Sequence, residues 1–278
     1  DTIARLVGQE LATRLGQQFL VENRTGAAGN VAAEFVAKSP ADGYTLFAAT
    51  DAPLVINPHV YRKQTVDPVK DFAPISNVAR SGFFIVVCPK LPLATMDDLA
   101  AYAKRNPVSY ASSGYGSNHH LLGEMIKQRG GYPMTHVPYK GAAQAMTEIL
   151  SCNVDVGVGA VGTVLPAVVA GKMKAIAITT ARRNASVPDV PTLSESGFPG
   201  VEMEAFYGLL APAGTPRAIV EKLHASVVES LKSKALVDRF RELGLTIVGN
   251  TPEEFAATIA SDSQKYARLA REAKLEAE

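Results

Sequence analysis

The chain reads as an α/β protein in which sheets with parallel strands are covered by helices. Three observations carry this expectation. Short apolar runs alternate with helical stretches along nearly the whole chain. Runs such as 44–49 and 83–87 lack polar–apolar alternation, as strands buried on both faces do. Many short elements are punctuated by 22 Gly and 17 Pro. A chain of 278 residues holds one doubly wound sheet or two lobes. No single long linker marks a midpoint, so two lobes would require the chain to cross between them more than once.

The elements follow in order. Asp1 or Thr2 caps a helix with Ile3, Leu6, Val7, Leu11 and Leu15 on one face, stopped by Gly16. Residues 19–22 read as a short strand, 23–30 as a Gly-rich loop and 31–38 as a helix. A turn at 40–43 leads to the apolar strand 44–49, and 53–61 is irregular or a short helix. After strand 83–87 the α/β rhythm repeats. Helix 96–105 carries Asp97 and Asp98 in its first turn, where they favour the positive end of the dipole. Strand 108–112 runs through the loop 113–118 into helix 119–129. Strand 135–138 precedes helix 141–150, strand 154–158 precedes helix 164–170, and strand 175–179 follows. A Pro-rich connection at 188–199 leads to strand 206–211. Helices 216–231 and 252–272 close the chain, with strand 245–248 between them.

Composition narrows the function. Lys+Arg total 28 and Asp+Glu 27, a formal net charge of +1. That balance argues against a nucleic-acid stripe or a basic membrane-surface helix. No stretch is long and apolar enough to span a bilayer; the longest candidate, 154–169, contains Asp155 and Pro166. Two Cys, Cys88 and Cys152, allow one disulfide and no metal cluster.

Catalytic signatures are weak. There is no His-Glu-x-x-His and no Gly-x-Ser-x-Gly. Ser117 and His120 are three residues apart across a helix start, which is not a triad arrangement. His119 and His120 point about 100° apart on a helix and do not share a metal easily. Neither Gly-rich loop is a Walker A loop, so nucleotide binding is poorly supported.

Three strand-to-helix junctions are polar instead. Ser-Ser-Gly-Tyr-Gly-Ser (112–117) follows a strand and opens a helix, so Gly backbone N–H groups, the helix N-terminus and the Ser113 and Ser117 hydroxyls suit a carboxylate or phosphate. A plain connection in which Ser117 only caps the helix stands as the equal alternative. Thr50 ends a buried strand, where open sheets bind ligands. Residues 138–142 are a third strand-to-helix junction, which carries Lys140, and Phe206 and Tyr207 suit either a site or hinge packing. Three such junctions without a catalytic set describe a cleft that holds a small anion.

Eight segments in register then resemble one family. They are Glu-Asn-Arg-Thr-Gly-Ala-Ala-Gly-Asn (22–30), Ala-Asp-Gly-Tyr-Thr (41–45), Asp-Phe-Ala-Pro (71–74), Ser-Ser-Gly-Tyr-Gly-Ser (112–117), Val-Pro-Tyr-Lys-Gly (137–141), Val-Asp-Val (154–156), Pro-Asp-Val-Pro-Thr (188–192) and Leu-Ala-Pro-Ala-Gly-Thr-Pro (210–216). Together they resemble the Bug family, the TctC-type extracytoplasmic solute receptors of tripartite tricarboxylate transporters, over essentially the whole chain.

The resemblance implies the two-lobed periplasmic binding protein fold, type II-like, with two crossing strands. Lobe one would hold 1–84 and 209–278, and lobe two 85–208. It implies capture of a small carboxylate or amino-acid-like ligand in an interlobe cleft, periplasmic localisation, delivery to membrane permease subunits, a monomer, and no cofactor, metal, catalysis or nucleic acid. An orphan receptor presenting its ligand to a sensor is the alternative. Carried over residue by residue, the ligand-binding set is Asp1, Thr50 and Asp51; Ser113, Gly114, Gly116, Ser117 and His120; Lys140 and Gly141; Gly162 and Thr163; and Phe206, where relatives often carry Trp. Asp51 departs from the family pattern, and an acid there would repel a carboxylate unless it is turned away or faces an amino group. Relatives also begin with a strand and a Pro-Gly-Gly-rich loop ahead of the first helix, so the intact protein is expected to be longer. Cys88 and Cys152 are not family hallmarks and would be either a disulfide or two buried thiols in lobe two.

Overall fold

The computed structural model describes residues 1–63, 65–273 and 275. In chain order the elements are α1 (Thr2–Leu15), α2 (Asn30–Ala37), β1 (Phe47–Thr50), α3 (Asn57–Val60), β2 (Phe72–Val87) and α4 (Met96–Ala103). Then come β3 (Ser109–Ser112), α5 (Asn118–Gly130), β4 (Thr135–Pro138), α6 (Ala142–Leu150), β5 (Val156–Ala160) and α7 (Val161–Val169). The chain closes with β6 (Lys174–Ile178), β7 (Glu204–Pro212), α8 (Arg217–Ser230), α9 (Lys234–Glu242), β8 (Thr246–Ile247) and α10 (Pro252–Glu272). It divides into two compact units, unit 1 from Asp1–Arg80 and Ala205–Arg268, and unit 2 from Ser81–Glu204 and Leu269–Leu275.

In unit 1 the sheet runs β1–β7–β2, with β8 antiparallel on β2 at Ala79 and Arg80. α1 buries Val7 and Leu11 in a core shared with Ile75, Leu209, Val220, Leu223, Val227 and Phe240. Gly16 ends α1 in the left-handed region at φ 67, donating its N–H to the Ala12 carbonyl. Asp1 occupies the N-cap position without a side-chain cap, because its carboxylate accepts from Arg5 and Asn23 instead.

Unit 2 carries the α/β rhythm. β3 pairs in parallel with β4 on one side and β5 on the other. The second half of β2 pairs antiparallel with β5 and β6. Phe84, Val86, Ala111, Met146, Ile149 and Val164 form part of the core beneath α6 and α7. Cys88, just past β2, and Cys152, just past α6, form a disulfide.

The structure corrects several sequence expectations. Residues 19–22 are not a strand; they have no ladder partner among the described residues, and Leu20 is 90% exposed. β1 begins at Phe47 rather than 44, pairs antiparallel with β7, and alternates buried with exposed residues, so one of its faces is uncovered. β2 starts at Phe72, eleven residues earlier than expected from its apolar end. Ser76, Asn77 and Ser81 interrupt the apolar run but are buried in the strand, and Ser76 Oγ donates to the Asn250 carbonyl at 2.8 Å. α9 lies where none was expected. Only Leu236 and Phe240 of it are buried, and Ser233 Oγ caps it by accepting the Leu236 N–H. Unit 2 keeps the expected parallel strands at β4–β3–β5, whereas the other pairings of known direction are antiparallel.

Candidate functional site

Three adjacent parallel strands fix the geometry of the site in unit 2. β4, β3 and β5 run side by side, so their C-terminal ends face one way. Each leads directly into a helix: β3 through 113–117 into α5, β4 through Tyr139–Gly141 into α6, and β5 without a loop into α7. Three helix N-termini, with their partial positive charge, therefore gather at one sheet edge. Two of them, at Gly141 of α6 and Ala160 of α7, have no side-chain cap. The first two junctions are tied together, since the Tyr139 N–H donates to the Ser112 carbonyl at 3.1 Å.

The 113–117 loop holds itself by internal bonds. Ser112 Oγ accepts the Gly114 N–H at 3.1 Å and lies 2.7 Å from His136 Nε2. Ser117 Oγ donates to the Gly114 carbonyl at 2.7 Å and caps α5 by accepting the His120 N–H at 3.2 Å. The Gly116 N–H donates to His120 Nδ1 at 3.3 Å. Ser113 Oγ lies 2.6 Å from His119 Nδ1. Gly114 and Gly116 sit at φ 122 and 73, a conformation that favours glycine. The glycine N–H groups expected to be open are thus already committed, as is the Ser117 hydroxyl.

Behind the loop, His120 stacks on His136 at 3.9 Å, and His136 stacks on Tyr110 at 4.9 Å. Burial holds all three histidines below their usual range: His119 at about 4, His120 at about 3 with the nearby His136 and Lys127 charges adding, and His136 also lowered. The imidazoles are therefore neutral near pH 7. Ser117 and His120 do not form a nucleophile–base pair: the Ser117 hydroxyl meets the backbone N–H of His120, not its ring. Among the described residues no cluster of His, Cys, Asp or Glu is arranged to hold a metal.

The other expected residues fall as follows. Lys140 and Thr163 are exposed, while Gly162 is half-buried in the first turn of α7. Gly141, at φ 119, is the N-cap of α6. In unit 1, Thr50 is exposed at the end of β1, and Asp1 is exposed in its ion pair with Arg5. Asp51 is completely buried, its Oδ2 accepting the Tyr266 hydroxyl at 3.3 Å, so the acid is turned away from solvent. Phe206 is also completely buried, edge-to-face on Phe255 at 5.3 Å, in a packing role. His119, His136 and Ser112 also shape the site, although none of them belongs to the ligand-binding set expected from the sequence. Their only sequence signal was that polar side chains crowd the ends of two neighbouring strands.

The fold and this polar sheet edge define a periplasmic solute-binding receptor, two-lobed and α/β, rather than an enzyme. Residues 3–275 match the TctC model, described as the tripartite tricarboxylate transporter family receptor, and the chain belongs to that family. It is 34% identical over 275 residues to Protein BugT of Bordetella pertussis, covering 98% of this chain and 84% of BugT. Among solved structures it resembles R. palustris Rpa4515 with adipate, with a TM-score of 0.95 and 34% identity, covering 100% of this chain and 94% of the other. It also resembles MatC from Rhodopseudomonas palustris with bound malate, with a TM-score of 0.91 and 30% identity, covering 97% and 93% of the two chains. The family and fold expected from the eight segments are borne out.

Proposed function

We propose that this receptor captures a small carboxylate at the C-terminal ends of β4, β3 and β5 and delivers it to membrane permease subunits. The observation that carries the reading is the gathering of three helix N-termini at one sheet edge, two of them without a side-chain cap. Such N–H groups and dipoles neutralise a carboxylate without a full opposing charge. The structures of two relatives that carry adipate and malate support a dicarboxylic acid as the ligand class.

In this reading Ser113, Gly114, Gly141, Gly162 and Thr163 line the anion subsite, with Lys140 at its rim. Gly116, Ser117 and His120 shape it from behind. Thr50 lies exposed at the end of β1 in unit 1. Asp1, Asp51 and Phe206 support unit 1 structurally, and the inward turn of Asp51 removes the reason to expect a cationic ligand. Units 1 and 2 serve as the two lobes, and the protein acts as a monomer.

The test is a thermal-shift and calorimetric screen against C4–C6 dicarboxylates, citrate, benzoates and acidic amino acids. A ligand at a hundred times its Kd stabilises the folded state by about 2.7 kcal/mol. We expect a rise in Tm with at least one dicarboxylate, 1:1 stoichiometry, and no turnover of the acid. No response to any acid defeats the carboxylate reading. Failure of the loaded receptor to bind reconstituted permease subunits defeats the delivery role alone.

A further inference from the structure

We infer that His119 is a positioning residue. It holds its proton on Nδ1, so that Ser113 accepts from the imidazole and keeps its own hydroxyl proton to donate to a ligand carboxylate oxygen. This rests on the carboxylate reading above and names the group that reads the anion.

A neutral imidazole has one N–H and one lone pair. His119 Nε2 is buried with no hydrogen-bond partner, and the imidazole and the Phe83 ring pack perpendicular to each other with centroids 5.4 Å apart. An orphaned buried N–H is rarer and costlier than a bare lone pair. The proton therefore sits on Nδ1, 2.6 Å from Ser113 Oγ. The opposite tautomer would leave a buried N–H without a partner and use up the Ser113 proton at the same time. Burial also keeps the ring from taking a second proton near pH 7.

The neighbouring hydroxyls differ. Ser112 Oγ is fully buried among Gly114 and His136, and the Ser117 Oγ proton goes to the Gly114 carbonyl. Ser113 alone of the three is half-buried, with its hydroxyl committed only as an acceptor in this tautomer. It also sits at the junction where the helix N-termini gather. A hydroxyl that accepts an N–H in one of its three staggered directions keeps the other two for its own proton, which narrows where an incoming oxygen can sit.

The tautomer is read directly from the wild-type protein by long-range 1H–15N spectroscopy of the histidine rings. A pyrrole-type Nδ1 and a pyridine-type Nε2 are expected for His119; the reverse pattern overturns the inference. In titrations with adipate and malate, Ser113→Ala should weaken binding about ten- to a hundredfold, the loss of one hydrogen bond to a charged group. Ser113→Thr should restore most of it. His119→Phe should weaken binding severalfold, yet cost nothing further on top of Ser113→Ala, because the two act through one hydroxyl. Equal affinity of Ser113→Ala and wild type, or additive losses in the double variant, overturns the role. If the wild type binds no acid at all, the carboxylate reading fails and takes the ligand role of Ser113 with it, while the spectrum still decides the tautomer.

Discussion

Asp51 turns its carboxylate toward the Tyr266 hydroxyl in the interior of unit 1. Burial first, then the Asp51 charge, pushes the Tyr266 phenol far above its ordinary range, so it remains a neutral donor. Tyr266→Phe removes a donor to a buried acid and should destabilise the protein by about 1–3 kcal/mol, measured by urea unfolding. An unchanged midpoint would show that this contact carries no weight. The three neutral histidines of unit 2 predict a pH dependence of definite sign. In the unfolded chain they titrate near 6.5. Folded, His119 and His120 titrate at about 4 and about 3, and His136 is also lowered. Between those values the unfolded state binds more protons, so stability rises with pH there. Their contribution is complete above the unfolded value and is lost as the pH falls toward the folded values. Groups acting on this cluster include Lys127, which opposes protonation, and Glu124, which favours it at His136. The urea midpoint should be flat from pH 7 to 8 and fall below pH 6. His119→Phe should flatten that fall, and an unaltered slope would refute the assignment.

Local chemistry decides where the helices start. Ser117 caps α5, and Thr95 caps α4 in a reciprocal box with Asp98. Thr95→Ala should cost about 1 kcal/mol, read from the urea midpoint, without touching ligand affinity. Caps of this kind are legible because donor and acceptor lie within four residues of each other. Strands are less legible. Residues 19–22 have the composition of a strand but no neighbour to pair with among the described residues, whereas Ser76 and Asn77 look like a break and lie inside the 16-residue strand β2. α9 is short, yet Leu236, Val237 and Phe240 recur at helical spacing, so its face is legible in the sequence although no helix was expected there. Close approach between elements is not legible, because it depends on which distant residue packs opposite. A Cβ on Gly208 of β7 would run into the Phe255 ring of α10. Gly208→Ala should therefore destabilise by about 1–3 kcal/mol, and a neutral substitution would show that α10 yields easily.

At the scale of the molecule, the Cys88–Cys152 bond ties the end of β2 to the turn after α6, closing a loop of 64 residues inside unit 2. Reduction should lower stability by about 2–4 kcal/mol, measured by denaturation with and without a phosphine reductant. A Tm insensitive to reduction would place the bond's effect below detection. Both cysteines were visible in the sequence, but pairing depends on a Cα separation, here 4.9 Å, that a linear reading does not contain. The family, the α/β class and the polar strand ends were all readable, because strand-to-helix alternation and glycine-rich junctions are local patterns that survive as sequence. What only the tertiary structure decided is which polar groups in the site are already committed. Ser112 and His136 are 24 residues apart, and Asp51 and Tyr266 are 215 apart. A hydrogen bond satisfies whichever donor and acceptor the fold brings within about 3 Å. So the sequence named the residues of the loop, while the packing of distant chain segments committed Ser112 to His136 and Asp51 to Tyr266.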